Sequence, residues 1–444
     1  MIKDMTEGSP SKILLRFSLP MILSGMFQQM YNVVDSVVAG KFSGVDALAA
    51  VGASYPVTML FIAVATGAGM GSSVVISRLF GAKEYQRMKT AVFTAVSSML
   101  VLSLLLTAVG TLVCSHLMRL LRTPANIFED SALYLRIYIW GLFFLFLYNM
   151  ATAVFNGLGD SKTPLGLLIF SSLFNVVLDI LFVAGFHWGV AGVAWATFIA
   201  QGLSSILAFL ILIRRLRSIQ TEGGYPKFSW HTLGKIAVIA VPSILQQSIV
   251  SVGQLAVQAL VNGFGAAVIA GYSAAIKIDS FFKMTIMSMG NAMSSFTAQN
   301  MGAGKPERVG PGKKAALLSM LLYAVVSLVL VVFFGQYMIG LFADTSEDAA
   351  QVIAVGTQYM LIVSGGYLIY AVLMVYNGIL RGAGYMLGFT TVTLTDLICR
   401  VGFSYLLAWI TQSDASIWWA IPIGWGVGAV LALLFYYKGN WQRA

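Results

Sequence analysis

The chain has 444 residues, of which 10% are charged and 58% hydrophobic, with a mean hydropathy of +0.84. A soluble protein carries about 25% charged residues, so a soluble enzyme of this length is excluded: it has too little charge to cover its surface. The formal net charge of +10 raises nucleic acid as a partner. However, the basic residues sit in short loops between apolar runs, a pattern of membrane orientation.

Apolar segments fall at 14–39, 47–78, 91–115, 131–156, 164–185, 189–213, 235–262, 267–299, 315–342, 350–379, 386–411 and 416–437. Each is long enough for one membrane span of about 20 residues. The expected fold is an all-α polytopic membrane protein of twelve transmembrane helices. Lys and Arg gather in the even-numbered connections, as in Arg78, Lys83, Arg87 and Lys89, in Arg214, Arg215 and Arg217, and in Lys305, Arg308, Lys313 and Lys314. The odd-numbered connections hold few cations and several acids, among them Glu129, Asp130 and Asp414. The positive-inside rule then puts both termini in the cytoplasm. Met1–Pro10 is polar and the run after it is too long for a cleavable signal, so none is expected.

The longest non-apolar connection lies near the midpoint. Residues 1–215 therefore read as one six-helix lobe, 216–234 as a cytoplasmic linker and 235–444 as a second lobe. The lobes repeat. Leu19-Pro20-Met21-Ile22-Leu23 matches Val241-Pro242-Ser243-Ile244-Leu245, Arg78–Ala82 matches Gln299–Ala303, and Phe155-Asn156-Gly157 matches Tyr376-Asn377-Gly378. Three matches in order, offset by 222 residues and, after a one-residue gap, by 221, indicate an internal duplication. Six is even, so the copies share an orientation. Their expected relation is a pseudo-two-fold axis along the membrane normal, with a cavity between them.

Ionisable residues inside a bilayer are costly and mark function. Asp35, Asp179, Asp279 and Asp396 lie in or beside apolar segments. Gln28, Tyr31 and Asp35 share one helical face, as do Asn175 and Asp179. Each aspartate reads either as a hydrogen-bonding residue near a helix end or as a site for a proton or Na⁺, which a carboxylate in a low-dielectric cavity suits. Asp396 and Arg400 form an i, i+4 opposite-charge pair and read as a structural ion pair. At the repeat spacing they align with Asn175 and Asp179. Gln247, Gln254 and Gln258 form an uncharged polar stripe that either lines a cavity or joins helices. Met26, Met30, Met59, Met284 and Met287 suit an adaptable drug surface, although packing explains any single one equally well. Gly67, Gly69 and Gly71 permit close helix packing.

Other chemistry is missing from the sequence. No Gly-Lys-Ser or Gly-Lys-Thr occurs, so ATP is not the direct energy source. No His-Glu-x-x-His or Asp-Asp-x-x-Asp run occurs, and His116, His187 and His231 are scattered, so neither a membrane enzyme nor a metal site beyond Na⁺ is indicated. Cys114 and Cys399 fall in apolar stretches and imply no disulfide framework.

The chain resembles the bacterial multidrug and toxic compound extrusion (MATE) transporters. The resemblance rests on Met5-Thr6-Glu7-Gly8-Ser9, Gln28–Asp35, Gly159-Asp160-Ser161-Lys162-Thr163-Pro164-Leu165, Asn175 to Asp179, and Asn377-Gly378-Ile379-Leu380-Arg381-Gly382-Ala383-Gly384. It covers the whole chain. It implies export of cationic or amphipathic small molecules by antiport against H⁺ or Na⁺, without cofactor or nucleic acid, from the inner membrane. A monomer surrounded by lipid is expected. It further implies a first-half cation site at Asp35, Asn149, Asn175, Asp179 and Thr197, and a bending role for Pro20, whose bland reading is a first-turn proline. Gln28, Met30, Tyr31, Gln254, Gln258 and Met287 are the expected cavity residues. Other members use acids of helices 7 and 10. Here neither 235–262 nor helix 10 after Asp348 has one, so a second-half cation site is not expected. Lipid-linked oligosaccharide flippases of the same superfamily are the alternative. They need a cationic cavity for pyrophosphate, whereas most Lys and Arg here lie in the expected cytoplasmic loops.

Overall fold

The computed structural model describes residues 3–221, 223–342 and 349–443, without the side chains of 32–48 and 443. Its thirteen α-helices are α1 (Pro10–Gly81), α2 (Tyr85–Leu120), α3 (Phe128–Trp140), α4 (Leu142–Gly157), α5 (Lys162–Asp179), α6 (Gly189–Ser218), α7 (Trp230–Val261), α8 (Ala266–Gly302), α9 (Val309–Gly340), α10 (Ala349–Gly365), α11 (Tyr367–Gly382), α12 (Met386–Thr411) and α13 (Asp414–Lys438). No strand occurs among the described residues. A helix satisfies its own backbone polar groups, which hydrocarbon requires.

All twelve apolar segments are helical. The first two lie in one helical run, α1, while α3 with α4 and α10 with α11 are helix pairs each bent by 49°. Among the described residues eight helices are long and apolar enough to cross a membrane, and counting each bent pair as one span gives ten. The start of α1 and the whole of α8 supply the other two segments. Helix α8 is the polar one, carrying Lys277, Asp279 and Lys283.

The outer faces are apolar. On α9, Leu318, Leu322, Val325, Val329 and Phe333 are exposed, whereas Ala316, Met320, Ala324, Ser327, Val331 and Gly335 are buried. That is a helix with its larger apolar residues outside and smaller ones inside, as lipid contact favours.

Two compact units form. One comprises Met1–Asp4 with Met26–Gln247, and the other Met5–Gly25 with Ser248–Ala444. Their boundaries therefore fall inside α1 and α7. In the first unit, the residues before α7 are tied to α2: Lys89 Nζ donates to the Ile219 carbonyl at 2.7 Å, and Ser229 N–H to Thr94 Oγ1 at 3.1 Å. In the second unit, the residues before α1 are tied to α8 and the turn after it. Met5 N–H donates to Gln299 Oε1 at 2.9 Å, Arg308 donates to the Gly8 carbonyl at 2.9 Å, and Lys305 Nζ donates to the Thr6 carbonyl at 3.2 Å.

The duplication is visible in backbone conformation. Lys83 after α1 and Gly304 after α8, 221 residues apart, both adopt positive φ, 58° and 69°. Their turns close alike, with Glu84 N–H donating to the Leu79 carbonyl and Lys305 N–H to the Asn300 carbonyl. The spacing then changes. Helix α10 begins 221 residues after α3 but has 17 residues against 13. From there the spacing is 225: the bends lie at Gly141 and Gly366, α4 and α11 both have 16 residues, and the turns after them place Gly159 and Gly384 at φ 75° and 77°. One extra helical turn has entered α10. The sequence match of Asn156 to Asn377 is corrected accordingly, since Asn156 corresponds to Arg381. Likewise Arg400 corresponds to Asn175 rather than to Asp179.

Candidate functional site in the first unit

Small residues bring the helices of this unit close. A Cβ on Gly67 or Gly71 of α1 would lie 2.6 or 2.5 Å from the backbone of Ile244 or Ala240 of α7. These glycines are four apart, so both face α7. Gly69 faces the other way, 3.2 Å from Ala153 Cβ and 3.5 Å from the Asn149 carbonyl of α4. Helices α5 and α6 meet through Leu178, Ala196 and Ala200, flanked by Phe174 and Phe182.

This packing fixes the polar residues. Asn175 and Asp179 are buried at 2% and 1% exposure. They lie one turn apart on α5, either side of Leu178. Tyr31 of α1 donates its hydroxyl to Asn175 Oδ1. Asp179 is the last residue of α5, and a π-helical stretch follows it at Ile180–Gly185. Such wider turns are frequent at functional sites. Thr197 on α6 neighbours Ala196 of the α5–α6 contact, and its hydroxyl donates to the Val193 carbonyl at 3.1 Å. It lines a narrow crevice, with almost no free volume, together with Tyr134, Tyr138 and Gln201 among others. Asn149 is half-buried, with Nδ2 donating to the Leu145 carbonyl at 2.8 Å. Gln28 and Met30 are exposed. The Asp35 side chain lies outside the described residues.

The remaining predicted residues belong to the second unit. Pro20 is buried and lies ten residues into α1, so the first-turn reading fails and Pro20 interrupts the helix interior. Gln254 is exposed, Gln258 is half-buried and donates to Asn262 Oδ1 at 2.8 Å, and Met287 is half-buried. Arg400 approaches Asp396 at 3.9 Å, where Gly424 and Gly428 of α13 press against the pair. The residue that sequence reasoning left without a role is Asp279. It is fully buried and accepts from Tyr359, Tyr367 and Lys283. Its i, i+4 partner Lys283 within an apolar run was the available signal.

The MatE family model matches residues 20–181 and 242–406, one stretch in each half of the chain. The chain belongs to the MatE family. Members of this family are transporters rather than enzymes, and this MatE chain is a multi-pass membrane protein. It is 30% identical over 447 residues to a probable multidrug resistance protein of Bacillus subtilis, YpnP, covering 99% of this chain and 97% of that one. A MATE protein solved in complex with MaL6 shares the MatE fold, with a TM-score of 0.92 at 23% identity over 99% and 98% of the two chains. A MOP superfamily transporter from Pyrococcus furiosus shares it too, with a TM-score of 0.90 at 23% identity and the same coverage.

Proposed function

We propose that this MatE protein is a secondary active exporter. It exchanges cationic or amphipathic small molecules against H⁺ or Na⁺ by alternating access, and uses no cofactor. It works as a monomer in the cytoplasmic membrane, with both termini inside. Residues 1–215 and 235–444 act as its two six-helix halves, joined by 216–234.

The carrying observation is the buried Asn175–Asp179 face of α5, joined to α1 through Tyr31. In this reading Asp35, Asn149, Asn175, Asp179 and Thr197 hold the coupling cation. Binding neutralises the carboxylates, α1 changes its bend at Pro20, and substrate leaves. The ion shifts the equilibrium only by its differential affinity for the two states. Gln28, Met30, Tyr31, Gln254, Gln258 and Met287 contact substrate. The relative named for multidrug resistance supports this choice over a lipid-linked oligosaccharide flippase.

Efflux of ethidium from proteoliposomes under separate pH and Na⁺ gradients tests the reading. One gradient should accelerate efflux above a gradient-free control. Equal rates under every condition would contradict antiport.

A further inference from the structure

The second unit buries a carboxylate among three donors. Asp279 of α8 has no exposed surface. Tyr367 of α11 donates to its Oδ1 at 2.7 Å and Tyr359 of α10 to its Oδ2 at 3.0 Å. Lys283, one turn along α8, places its ammonium 2.6 Å from Oδ2. Aromatic rings close around the group: Tyr272 and Trp418 pack on Tyr359, while Phe282 and Trp425 pack on Tyr367.

A bare carboxylate here would be very costly. The two phenols hydrogen-bond to it but bring no charge. Lys283 alone among the three supplies the positive charge, and its side chain is still 23% exposed. The ammonium therefore sits at the more open side of an otherwise sealed oxygen site.

We propose that Asp279, Tyr359 and Tyr367 form a monovalent-cation site in the second unit, and that Lys283 is its resident cation. The tether keeps this unit neutral without an external ion, so Lys283 withholds it from ion exchange. The other buried acid described in this unit follows the same rule, since Asp396 also has a cation at i+4, Arg400. The site is distinct from any acid on helices 7 and 10.

The test uses the full-length protein in detergent at pH 9, where the proton concentration is low. Unfolding temperature is followed against Na⁺, K⁺ and methylammonium, with choline maintaining ionic strength. Lys283→Met opens the site, and Lys283→Gln is a second opening variant that still hydrogen-bonds. Lys283→Met with Asp279→Asn removes both charges. At least one of the three cations should raise the unfolding temperature of both single variants by about two degrees per tenfold increase. Wild type and the double variant should show only a smaller, common shift with that cation. Single variants that track the double variant with all three cations would overturn the proposal. So would single variants that fail to fold in cation-rich buffer while the double variant folds, because a filled site is a neutral one. These readouts measure no transport, so they stand or fall separately from antiport.

Discussion

Tyr31 of α1 and Asn175 of α5, 144 residues apart, share a hydrogen bond in which the phenol donates to the buried amide oxygen. It joins a residue of the Gln28–Asp35 motif to the face that carries Asp179.

Removing the donor leaves Asn175 Oδ1 buried without it. Tyr31→Phe should lower stability by about 1–2 kcal/mol. Asn175→Ala should cost a similar amount, and the two changes should be non-additive by about 1 kcal/mol in a double-mutant cycle of detergent unfolding. Strict additivity would mean that the bond contributes nothing.

Close helix approach gives a steric prediction. Gly67→Val and Gly71→Val force side chains into the α7 backbone, which lies 2.6 and 2.5 Å from a Cβ at those positions. Both variants should fail to give a monodisperse peak in size-exclusion chromatography. Gly166→Ala, with nothing within 4 Å of its new Cβ, should behave as wild type.

The close packing at Gly67 and Gly71 was legible because small residues at helical spacing signal contact directly. So were the twelve apolar segments, whose lengths follow from the bilayer. Two features were not legible. The extra turn in α10 leaves its apolar pattern intact, so the resemblance of Phe155-Asn156-Gly157 to Tyr376-Asn377-Gly378 concealed the change of spacing. Asp279 announced a charge pair with Lys283, but its phenol donors arrive from 80 and 88 residues away. Pairings of that range depend on how α10 and α11 bend, at Gly366, and local sequence does not carry them.

The same change of spacing makes Arg381 the counterpart of Asn156. Arg381 is buried at 7% exposure. Its Nε donates to Ser294 Oγ at 3.2 Å and a terminal nitrogen donates to Asn291 Oδ1 at 2.7 Å, tying α11 to α8. Lysine cannot reproduce this fork. Arg381→Lys and Arg381→Ala should each cost about 2–3 kcal/mol in detergent unfolding. A lysine variant as stable as wild type would show that charge alone suffices there.

Antiport through the first unit is tested most directly by Asp179→Asn. The amide keeps the side chain's size and polarity but neither carries a charge nor takes up a coupling proton. With membrane expression and detergent stability equal to wild type, ethidium efflux from proteoliposomes driven by a pH or Na⁺ gradient should fall to the gradient-free rate. Gradient-driven efflux at the wild-type rate would contradict the assignment of Asp179 to the coupling site.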